Sequence, residues 1–173
     1  MNKHWKRGLI GLLITIAGIT IIEGFGGGIV AMQAATTPAE FTTAAVAAGN
    51  DAYVSNTGDT LLFAPGLFIL AMALFGGLGA SATGLLTLLK RVGVTLACMC
   101  LCADTLENII TYIATGFQNL DAPNASELVQ PSTTLITIMS YSAQIKFLSI
   151  SIYGAIIVVL LLAYIIRRLR PVA

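Results

Sequence analysis

The chain has 173 residues and a formal net charge of +1, with 57% of its residues hydrophobic, 10% charged and a mean hydropathy of +0.89. Soluble domains carry about 25% charged residues and disordered chains are poor in apolar ones, so both classes are excluded. What remains is an integral membrane protein, and its near-neutral charge leaves no electrostatic footprint for nucleic acid.

A spanning helix needs roughly 20 mostly apolar residues to cross about 30 Å of hydrocarbon. Four segments qualify, which predicts an all-α chain forming one transmembrane domain over 1–173. The first, 8–32, is interrupted only by Glu23. Its basic start also fits a signal peptide, but the apolar run is longer than a usual signal core, so it is expected to remain as a helix. The connection 33–60 opens with Thr37-Pro38-Ala39-Glu40, a capping box with proline at the first helical position, and Gly49-Asn50 offers a left-handed stop. A short surface helix over Pro38–Ala48 is expected, with turns near Asn50 and Gly58.

The second span, 61–89, carries no charge. The third, 92–117, contains Asp104 and Glu107 and follows a short turn at Lys90 and Arg91. In the connection 118–132, Asn124-Ala125-Ser126 is a glycosylation sequon. The last span, 133–166, can extend into one helix over 132–168 about 55 Å long, since neither proline nor glycine interrupts Ser132–Tyr153.

Basic residues remain on the cytoplasmic side. Lys3, Lys6 and Arg7 precede the first span, Lys90 and Arg91 sit between the second and third, and Arg167, Arg168 and Arg170 follow the fourth. The other connections carry Glu40, Asp51 and Asp59, then Asp121 and Glu127, and no Lys or Arg. Four crossings, with both termini cytoplasmic and both acidic loops outside, is the count that satisfies every segment.

Helices in lipid pack through small residues. Gly11 and Gly18 on the first span, and Gly76, Gly77, Ala80, Ser81 and Gly84 on the second, are the expected contact points. The stretch from Gly24 through Gly26 and Gly27 to Gly28 lacks the Lys-Ser/Thr ending of a phosphate loop. Cys98, Cys100 and Cys102 alternate sides of a helix, cannot converge on one metal, and read as packing residues. No metal site and no catalytic residue set is expected: the sole histidine, His4, lies outside the spans, and no cofactor fingerprint is present.

Four ionisable groups interrupt the spans: Glu23, Asp104, Glu107 and Lys146. An intramembrane charge costs roughly 2.5–3.5 kcal/mol on insertion scales and marks a candidate site. Glu23 stands 16 residues beyond Arg7, and Glu107 16 beyond Arg91, so both lie about 24 Å from the basic end. Asp104, Glu107, Asn108 and Thr111 share one helical face, as do Ser142, Lys146, Ser149 and Tyr153. One reading is a cluster in which Lys146 answers Asp104 or Glu107 and Glu23 joins. The other has Lys146 reaching outward to the headgroups. The function classes that follow are an accessory subunit of a larger membrane complex, or a small oligomeric transporter moving protons or cations on its carboxylates. The expected partners are the lipid bilayer and other membrane subunits or copies of the chain. No cofactor is expected; bound lipid could fill the grooves.

Overall fold

In a computed structural model, described over residues 3–25, 28–80 and 82–169, every regular element is helical. Four helices are long and apolar enough to cross a membrane. The sequence positions Gly26, Gly27, Ser81 and Arg170 lie outside the described residues.

Helix α1 spans Lys3–Gly24, and a separate short helix, α2, follows at Gly28–Gln33. The expected single rod over 8–32 therefore ends early, at Gly24, with Phe25 in a turn. Helix α3, Pro38–Ala48, has the capping box: Thr37 accepts from the Glu40 amide, and the Glu40 carboxylate accepts from the amides of Thr36 and Thr37 and the Thr36 hydroxyl. These bonds hold the Glu40 carboxyl below its usual range, the Thr36 amide first among them.

Gly49 (φ 61°) and Asn50 form the expected turn, and the chain re-enters a helix at Asp51. Helix α4 (Asp51–Gly58), a π-helical stretch (Asp59–Phe63) and α5 (Ala64–Leu78) form one rod, so Gly58 lies within a helix and is not a loop turn. Pro65 explains the π stretch. Proline has no N–H and its ring presses on the preceding turn. Widening that turn, with the Ala64 amide bonding the Asp59 carbonyl, relieves the clash without breaking the rod.

The second span ends at Leu78, earlier than expected, and the reversal falls at residues 79–84. Gly84 (φ 57°) caps the start of α6, Leu85–Thr115, which places Lys90 and Arg91 on a helix and not in a turn. Gly116 (φ 60°) closes α6 in the left-handed conformation. A four-residue helix, α7 (Ala125–Leu128), precedes α8, Thr133–Leu169. At 37 residues α8 is about 55 Å long.

Helix α1 packs antiparallel on α5, and α6 antiparallel on α8. Glycine sets the first contact: a Cβ on Gly11 would stand 2.5 Å from the Leu70 amide nitrogen, and one on Gly18 equally close to that of Phe63. Gly76 and Gly77 lie beneath His4, whereas Ala80 and Gly84 are exposed in the reversal and clamp no helix pair. Cys100 packs in the core beside Phe75 and Tyr153, while Cys98 and Cys102 are exposed and all three are free.

Two cores result. One, around Phe75, Leu78, Ala97, Ile156 and Leu160, fills the end holding the helix reversal. The other, around Met32, Phe41, Ala45, Leu120, Val129 and Met139, forms a cap from α2, α3, the 118–132 segment and the start of α8. Asn50 ties that cap together, donating from Nδ2 to Asn119 and Asp121 (2.7 Å each) and accepting from the Leu120 amide (3.0 Å).

Candidate functional site

The charged face of α6 meets the charged face of α8 between the two cores. Lys146 Nζ lies 3.0 Å from Asp104 Oδ1 and 2.6 Å from Glu107 Oε2. All three side chains are almost fully buried, so Lys146 turns inward and does not reach for the headgroups. The i, i+3 spacing of Asp104 and Glu107 is what lets one ammonium bridge both. Burying an isolated charge is prohibitive, and pairing offsets that cost only when the remaining donors and acceptors are also satisfied.

An amide relay supplies part of that satisfaction. Asn108 donates to Asp104 Oδ2 (3.2 Å) and accepts at its side chain from Gln33 (2.8 Å). Its backbone carbonyl accepts from Asn56 Nδ2 (3.1 Å). Glu107 is less well served. Its contact with Lys146 lies off the hydrogen-bonding direction, and Oε1 has no partner although the residue is fully buried.

Asp59, Asn56 and Gln33 belong to this site and were placed by sequence in the outer connection. Asp59 is 4% exposed on the π stretch, within the field of Lys146 and beside Asn108 and Gln33. The cluster thus holds three carboxylates against one ammonium. The available signal was Pro65, six residues beyond Asp59, which marks a disturbed helix whose preceding turn is displaced. Among the described residues no three potential ligands converge as a metal site requires; the cation among these carboxylates is Lys146.

Glu23 stands apart from the ion pairs. It is exposed and lines a groove of about 310 Å³ whose inner wall carries Gln33, Asp59, Glu107 and Lys146. Ile19, Val30 and Phe147 form the apolar rim, where α1 and α2 face α8 without extensive packing. Tyr153 lies two turns from Lys146 and packs edge-on against Phe75 (6.4 Å, 73°). Asp104 and Lys146 also border a void of only about 10 Å³ on the side of Tyr153. Asn124 is exposed at the start of α7.

No protein-family model, no curated protein and no solved structure matches the chain. The functional reading therefore rests on this geometry.

Proposed function

We propose that the protein is a small accessory subunit of a larger membrane complex, carrying its termini and the 79–84 reversal in the cytoplasm and its α3–α7 cap outside. The observation that supports it best is the closure of the charged triad. Lys146 bridges Asp104 and Glu107 in the interior, an arrangement suited to clamping α6 to α8 and not to passing ions along a wet path. Long apolar faces remain outward, with Ile109, Ile113, Leu148 and Leu162 among the exposed side chains, and these suit lipid or neighbouring helices. The orientation follows from the excess of Lys and Arg at one end of the bundle.

Purification from native membranes in mild detergent, with mass spectrometry of what accompanies the chain, tests the role. Partner polypeptides at fixed stoichiometry are expected; isolation as a single species at full yield refutes it. The orientation is tested in a cysteine-free background. An impermeant maleimide should label Asp121→Cys on intact cells and Thr83→Cys only after permeabilisation.

A transport reading is favoured by one observation, the unpartnered Glu107 Oε1 on a groove that also holds Glu23 and Asp59. Carboxylates at membrane depth are the usual carriers in proton and cation relays. Proteoliposome flux abolished by Asp104→Asn or Glu107→Gln would establish it, and unchanged flux in both would remove it.

A further inference from the structure

The other end of the bundle holds a second cavity, of about 550 Å³, bounded by α1, α5 and α6. Its polar wall is cationic or nitrogenous, with His4, Arg7 and Lys90, and its apolar wall includes Phe68, Met72 and Val94. Arg7 and Lys90 are paired with no carboxylate among the described residues. Lys90 reaches the Gly79 carbonyl, at 3.5 Å.

This wall is built on the end of α5 and its C-cap, Gly79. A Cβ on Gly76 would overlap the His4 imidazole, and one on Gly79 would come within 2.6 Å of Lys90 Cδ. Two glycines one turn apart thus let two nitrogen-bearing side chains lie flat on the helix backbone at the rim of an apolar recess. Trp5, 43% exposed on the same turn of α1, is the residue type that settles at the headgroup level.

We propose that this cavity is a binding site for an anionic diacyl phospholipid, its phosphate held by Arg7 and Lys90 and the start of one acyl chain lying along Phe68, Met72 and Val94. The volume is of the size that holds a drug-sized ligand, about 300–1,000 Å³, enough for a headgroup and the first methylenes. Charge decides the class: a zwitterionic head brings its own ammonium against Arg7 and Lys90, whereas a purely anionic one does not. Basic recesses between spanning helices recognise anionic headgroups in this way. The site is independent of the carboxylate cluster and of the subunit reading.

Native mass spectrometry of the full chain in neutral detergent tests it, with phosphatidylglycerol and phosphatidylcholine of identical acyl chains as probes. One phosphatidylglycerol should be retained well above phosphatidylcholine. The double variant R7Q/K90Q should lose about thirtyfold in affinity, which corresponds to about 2 kcal/mol at about 1 kcal/mol per basic residue. K6Q/R91Q removes the same charge from the same end but outside the cavity and should stay within about threefold. Met72→Trp, which keeps every charge and fills the apolar half, should also weaken binding and serves if the double variant folds poorly. Equal loss in the two charge pairs, equal retention of the two lipids, or displacement by millimolar glycerol phosphate overturns the proposal.

Discussion

Replacing Lys146 by Met removes the cation from between Asp104 and Glu107 while keeping an unbranched side chain one atom shorter. At the observed separations of 3.0 and 2.6 Å, an effective dielectric constant of about 20 gives attractions of about 5.5 and 6.4 kcal/mol. Most of that is offset by the cost of taking three charges out of water. What the substitution exposes is the remainder: two carboxylates at adjacent turns of α6, buried with no counter-charge. Breaking a buried pair in this way costs about 3–5 kcal/mol. Equilibrium unfolding in detergent or bicelles, followed by loss of helicity with the wild type alongside, measures it. The companion variant D104N/E107Q/K146M removes the charges of the triad, and should recover at least half of the loss because Asp59 alone is then left as an unpaired acid. A loss below about 1 kcal/mol for the single change, or a triple variant less stable than the single one, would refute the claim that the triad clamps α6 to α8.

The remaining predictions concern packing and the cap. Gly11→Ala should destabilise by about 1–3 kcal/mol in the same unfolding assay, since its Cβ meets α5 backbone that cannot step aside. Gly8→Ala should be neutral within about 0.5 kcal/mol, because its Cβ would meet only Ala73 Cβ at an ordinary 3.5 Å. Asn50→Ala should leave the spans intact but speed amide exchange across 118–124, where the Leu120 amide and the Asp121 carboxylate lose their shared partner. The cap of α3 should depend on pH. The folded Glu40 carboxyl lies below its usual 4.5, so its contribution is fully present above that value and fades as pH falls through the lower folded value. Exchange of the Thr36 and Thr37 amides should rise in that acidic window in the wild type, and Glu40→Gln should abolish the pH dependence.

Helix existence was legible wherever the signal was local. The Thr37–Glu40 capping box and Gly49 delimit α3 because caps are short-range chemistry, and the uninterrupted run from Thr133 delimits α8. Boundaries that depend on partners were not legible. Lys90 and Arg91 look like a turn because charges avoid lipid, yet Lys90 lies along Gly79 and Arg91 lies on the exposed side of α6, so both fit on a helix at the end of the bundle. Ala80 and Gly84 continue the small-residue spacing of Gly76, but the rod has already ended, and small residues serve a reversal as well as a helix contact.

The same distinction governs the site. Helical spacing alone brought Asp104 and Glu107 onto one face and Lys146 onto another, and complementary charge made their meeting one of two readings, beside a Lys146 that reaches the headgroups. Asp59 was hidden by its neighbours, since Asn56, Thr57 and Gly58 read as loop, while their real use is tertiary. Asn56 donates to the Asn108 carbonyl, the Thr57 hydroxyl lies 2.6 Å from that of Tyr112, and Gly58 lets Ile21 of α1 pack closely. Polar residues in a spanning helix are stable only when such partners exist, so a polar stretch before an apolar run has two solutions, solvent or another polar helix face. The polar stripe of α6 from Asp104 to Thr111 is longer than Lys146 alone can cover. That surplus of donors and acceptors is the feature that calls for a second polar face, and Asn56, Asp59 and Gln33 provide it.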